Sequence, residues 1–155
     1  MPTVDAAAAA VGVAPEQIFK SLLFQAKAGQ CVMVIACGNG RVDLHRVQAI
    51  TGLPGLRLAK PDVVLAKTGY PAGGTPPVGH REKFPVIVDT RVAAQECGYA
   101  GGGQPALLVK IKSADIIRLT DGTVHDVISD SVGLEGVTQK AESRRQRAKE
   151  STADR

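Results

Sequence analysis

The chain has 155 residues, 44% hydrophobic and 22% charged, with a net charge of +4. That is a one-domain length able to enclose a core, with the composition of an ordinary globular protein. The alanine-rich start at 1–13 has no basic n-region, so it is not a secretory signal, and no apolar run approaches the ~18 residues of a membrane span. Three cysteines, Cys31, Cys37 and Cys97, form no framework and point to a reducing, cytoplasmic setting. The charge is uneven. Residues 138–155 hold six basic and three acidic side chains, a net +3. Such a tail suits a polyanion such as RNA, or is simply a solvated terminus.

In chain order, residues 3–11 read as a short helix with Thr3 as its N-cap. "GVAPEQ" is a turn into "QIFKSLLF", a strand apolar on both faces. "CVMVIA" is a second buried strand, ended by a glycine turn at 38–40. "VDLHRVQAIT" has helical spacing at Val42, Leu44, Val47 and Ile50, and Gly52 stops it. "LRLAK" is a short strand. "KPDVVLAKTG" is a helix of one to two turns, with Pro61 at its first position and Gly69 at its end.

"TGYPAGGTPPVG" at 68–79 can hold neither a helix nor a central strand, because four of its twelve residues are glycine and three are proline. After it, "FPVIVDT" and "PALLVKI" read as strands, "SADIIRLTDG" as a short capped helix and "TVHDVI" as a last strand. Short strands interrupted by short helices predict an α+β fold with a curved mixed or antiparallel, barrel-like sheet. The apolar pattern ends near 134–137. This divides the chain into a domain at 1–134 and a basic tail at 135–155.

Several chemistries are absent from the sequence. There is no G-x-S-x-G elbow, no H-E-x-x-H and no Walker A loop. His45, His80 and His125 lack ligand spacing to one another or to the cysteines, so no metal or cofactor is expected. Five aromatic residues are too few for base recognition of the RRM kind.

Two features carry chemistry. Lys20 shares a strand face with Ile18, Leu22 and Phe24, where an ammonium needs an anionic partner or must snorkel to the rim. The loop at 68–79 is a surface connection or a working surface made of backbone. Glycines let N–H groups approach a ligand, Pro76 and Pro77 stiffen the path, and convergent N–H groups can hold an oxyanion.

"QIFKSLLF", "TGYPAGGTPPVG", "PVIVDT", "YAGGG" and "SADIIRLTDGTVHDVI" occur in that order over residues 3–128. Together they resemble the YbaK/prolyl-tRNA synthetase editing-domain family. Its members, free-standing or inserted in prolyl-tRNA synthetase, hydrolyse tRNA charged with the wrong amino acid. By resemblance, Lys20 matches the family's functional lysine and Gly73 its functional loop glycine. The resemblance starts at the family's first helix, without the strand that usually precedes it. After "GGG" this chain reads "QPALLV", where cysteine-editing members often carry a polar residue.

The resemblance implies a cytoplasmic trans-editing deacylase, without metal or cofactor, acting on mischarged tRNA. The substrate it suggests is tRNA(Pro) carrying a small wrong amino acid, alanine first. Prolyl-tRNA synthetase or the elongation machinery would be further partners. Lys20 and Gly73 would be catalytic. Gly74, Thr75, Pro77 and Gly79 would contact substrate, with Ile18, Leu22 and Val78 as apolar walls. The alternatives are a non-catalytic tRNA-binding module and a hydrolase of small free esters.

Overall fold

A computed structural model describes residues 3–129. The predicted tail and its boundary lie outside the described residues. Those residues fall into two units. One, 3–39 with Leu44–Val127, carries every helix and strand; the other is 40–43 with 128–129. In the smaller unit, Val42 and Ile128 form an isolated antiparallel bridge.

The larger unit is mixed α and β. Helix α1, Val4–Val11, starts where Thr3 Oγ1 accepts from the Ala6 N–H at 3.1 Å and stops at Gly12, φ 74°. A 3-10 turn at Pro15–Gln17 leads into β1, Ile18–Gln25. Strand β2, Cys31–Cys37, is buried along its whole length. Helix α2 is Leu44–Thr51 and β3 is the two-residue Arg57–Leu58. Helix α3, Pro61–Thr68, has proline in its first turn and Gly69 in the left-handed region at its end, as its sequence predicts.

After the loop come β4, Val86–Asp89, α4, Thr90–Ala93, and β5, Cys97–Gly101. Then follow β6, Leu108–Lys112, α5, Ser113–Thr120, and β7, Thr123–His125. The sheet runs β6-β5-β1-β2-β4-β7, and β3 adds to β1. The pairs β1–β2, β1–β3 and β5–β6 are antiparallel, and β1–β5, β2–β4 and β4–β7 are parallel. This is the mixed sheet with short helices that the sequence predicts.

Four details differ from the sequence reading. Helix α2 begins at Leu44 rather than Val42. Helix α4 and strand β5 were not foreseen. Residues "VDT" do not simply continue a strand: Asp89 caps α4, its Oδ2 accepting from the Arg91 N–H at 3.0 Å. Its Oδ1 accepts from the Val127 N–H at 3.0 Å, so one fully buried carboxylate ties β4, α4 and the segment after β7. Strand β7 is only Thr123–His125, shorter than the predicted "TVHDVI", and follows the α5 cap Asp121, which lies in the left-handed region at φ 53°.

The main core lies on one face of the sheet, around Phe19, Leu23, Met33, Ile35, Val88 and Ile116. On the other face, α1 sets Ala7 and Ala8 against Ile18. The β1 alternation therefore places Lys20 on the face opposite the main core.

Candidate functional site

The second edge of β1 is paired only near its ends. Ile18 and Phe19 pair with β5, and Phe24 and Gln25 pair with β3. Residues 20–22 lie in the fork between them, and Lys20 stands at its β5 side. Continuing the parallel register by one residue beyond Phe19–Ala100 sets Gly101 beside Lys20, with both Cβ directions on one face. A Cβ on Gly101 would lie 2.6 Å from the Thr75 carbonyl oxygen. The loop therefore rests on the sheet where Gly101 leaves room, on the face that carries Lys20.

Main-chain contacts hold the loop there. The Gly103 N–H donates to Gly74 O at 2.9 Å, and a Cβ on Gly74 would lie 2.5 Å from the Gln104 carbonyl carbon. Within the loop, the Gly74 N–H and the Thr75 hydroxyl both donate to Pro71 O, each at 2.9 Å. At the loop's end, His80 Nε2 donates to Pro76 O at 2.7 Å, and its ring stacks on Phe84 with centroids 5.1 Å apart. Burial holds the His80 imidazole below its ordinary value, although its hydrogen bond to Pro76 O opposes the shift. The stacked ring is thus biased toward its neutral form.

The predicted site residues divide accordingly. Lys20 and Leu22 are half-buried on the loop's face of the sheet, and Gly73 is a half-buried loop residue. Gly74, Thr75 and Pro77 are buried, while Gly79 is exposed at φ 78°. The Thr75 hydroxyl and the Gly74 amide work inside the loop. Ile18 is packed beneath α1, so Leu22 is the more open apolar neighbour of Lys20. Val78 is half-buried.

In the sequence Gly101 and Gly103 are only part of the "YAGGG" motif, yet in the structure they are the seat of the loop. A run of three glycines behind a tyrosine was the available signal. Cys37 lies within electrostatic reach of Lys20. Burial, reinforced by Asp89, raises its thiol, and the Lys20 charge opposes this, which leaves a poor nucleophile.

A cleft of about 280 Å³ opens at Gly79, lined by His80, Arg81, Lys83 and Thr120 among others. A larger apolar cavity of about 380 Å³ near Cys31 and Ile50 shares no residue with the loop or Lys20. Among the described residues, no three His, Cys, Asp or Glu side chains come together to hold a metal. No helix among them is long and apolar enough to cross a membrane.

A lysine in a sheet fork beside a glycine-proline loop is an arrangement whose cation and backbone N–H groups can hold an acyl or phosphate group without a triad. The family description "aminoacyl-tRNA editing domain" matches residues 1–119, and the chain belongs to that family. It is 34% identical to YwhH of Bacillus subtilis (strain 168) over 87 residues, 56% of this chain and 55% of YwhH. The chain thus spans about half the length of that relative.

It is 22% identical over 125 residues to EbsC of Enterococcus faecalis, named for deacylation of Cys-tRNA(Pro) and Cys-tRNA(Cys). That match covers 81% of this chain and 76% of EbsC. A crystal structure described as a trans-editing enzyme for prolyl-tRNA synthetase superposes with a TM-score of 0.75 at 35% identity. It covers 82% of this chain and 80% of that one.

Proposed function

We propose that this protein is a trans-editing deacylase that hydrolyses the ester of mischarged tRNA, with tRNA(Pro) bearing a small wrong amino acid such as alanine as substrate. The observation that carries this is the docking of the loop onto Gly101 beside Lys20. An aminoacyl ester is already activated, so its hydrolysis needs orientation, oxyanion stabilisation and water more than a protein nucleophile. The Gly73 N–H would face the ester carbonyl oxygen, and Lys20 would add positive charge there or hold the terminal ribose and phosphate. Water, positioned by the neighbouring ribose hydroxyl, adds to the carbonyl carbon. The bond from that carbon to the esterified ribose oxygen breaks, and the proton lost by water ends on that departing oxygen, which leaves as a free hydroxyl. Leu22 and Val78 would limit the side chain.

The likeness to EbsC favours cysteine as a second reading of the amino acid. The test is ester loss from tRNA(Pro) charged with alanine, cysteine, serine or proline. Faster loss of a non-proline ester supports deacylation. Binding without acceleration of any ester would make the protein a tRNA-binding module, and equal action on small free esters would remove tRNA from the reaction.

Two further outcomes are expected. A transition-metal chelator, with Mg²⁺ kept for the tRNA, should leave hydrolysis unchanged; loss restored by a divalent metal would overturn the metal-free mechanism. Deleting residues 138–155 should weaken tRNA binding and flatten its salt dependence, with little effect on the single-turnover rate at saturation. An unchanged binding constant and salt slope would make those residues bystanders.

A further inference from the structure

We propose that the ring of Tyr70 is the stacking platform for the terminal adenine of the tRNA acceptor end. This rests on the functional reading above. The other four aromatic residues are committed elsewhere. Phe19 and Phe24 are buried, Tyr99 packs against the α1 cluster, and Phe84 stacks on His80.

Tyr70 is half-buried and stands between the two glycine segments. A Cβ on Gly103 would lie 3.3 Å from its Cε1, and one on Gly79 would lie 3.7 Å from its hydroxyl oxygen. Chain neighbours aside, among the described residues Tyr70 supplies the only heavy atoms within 4 Å of either Cβ position. Both glycines have positive φ, 78° and 101°, so the chain keeps side chains away from the ring for a conformational reason as well.

The backbone under the ring is fixed. The Tyr70 N–H donates to Thr68 Oγ1 at 3.0 Å, and that hydroxyl lies 3.1 Å from Tyr70 O and 2.7 Å from Val64 O, its two acceptors. A platform held this way loses little freedom on binding. The terminal base hangs from the same ribose that carries the ester. A loop that holds the carbonyl therefore brings the base to the loop's flank, where Tyr70 stands. Stacking needs only a π-face, so one ring suffices where a base-reading sheet would need several.

The experiment uses tRNA with 2-aminopurine in place of its terminal adenine, together with Tyr70→Phe and Tyr70→Leu. Wild type and Tyr70→Phe should quench the fluorescence on binding, and Tyr70→Leu should not. In deacylation, Tyr70→Leu should raise KM about tenfold with kcat nearly unchanged, and Tyr70→Phe should match wild type. A folded Tyr70→Leu that quenches fully, or keeps its KM, would overturn the proposal and leave the ring as a strut between two glycine segments.

If Tyr70→Leu does not fold, the wild-type protein decides. A terminal abasic nucleotide should raise KM about tenfold while a terminal pyrimidine raises it less, and equal KM values for all three would overturn the proposal. Failure of the functional reading reads differently. No ester would be hydrolysed by wild type, whereas the quench reports on the ring regardless.

Discussion

Replacing Lys20 by alanine is expected to slow ester hydrolysis by about a hundredfold or more while the protein stays folded. That is the usual cost of removing one electrostatic contact to a developing oxyanion. Lys20→Met separates charge from packing, because methionine keeps most of the apolar stem. It should be as slow as Lys20→Ala, with a melting temperature close to wild type. Single-turnover rates on mischarged tRNA, paired with thermal melts, make the measurement. A folded Lys20→Ala protein with near wild-type rate would remove Lys20 from the site.

The second large effect concerns adjacent glycines with different surroundings. A methyl group on Gly74 would lie 2.5 Å from a main-chain carbon of Gln104, which cannot move as a flexible side chain would. Gly74→Ala should lift the loop from its seat, lowering activity about a hundredfold and stability by about 1–3 kcal/mol, the usual range for overpacking. That corresponds to a melting point lower by roughly 2–12 °C. Gly73→Ala should lose activity to a similar degree at a nearly unchanged melting point, because Gly73 is proposed to face the substrate and contributes little packing. Thr75→Ala should affect rate less than either. A fully active Gly73→Ala, or one inactive only through unfolding, would reduce the loop to a connector.

How far the sequence was legible follows from how local each signal is. Helix α3 announces itself by Pro61 and Gly69, and β1 and β2 by unbroken apolar runs. Strand β5 does not, because "CGYAG" has almost no strand character of its own. Its Gly98 is there because the Phe19 ring fills the place of a Cβ, and that tertiary fact leaves no periodicity. Helix α4 is four residues long and rests on the Asp89 cap, too short for any pattern. Of the candidate site, Lys20 and the loop are readable from spacing and residue type as candidates. That Gly101 seats the loop is not, since it depends on a parallel register between residues about eighty apart in sequence. An aromatic count set base stacking aside, because counting cannot say where the Tyr70 ring stands.

The pairing order of the sheet also bears on how the chain is made. Strands β1 and β2 leave the ribosome first and can close at once on the turn at Gly29. Most of their outer edges must wait. β3 covers β1 only at Phe24 and Gln25, β2 needs β4 from residue 86 onward, and the start of β1 needs β5 from residue 97. At about 5–20 residues per second, the first wait lasts roughly 3–10 s. Throughout it, the most apolar hairpin of the protein carries open edges that could pair with another nascent chain. A chaperone that shields residues 18–37 during this interval would therefore govern the yield of folded protein, and slowing translation after residue 37 should lower soluble yield without altering the finished protein.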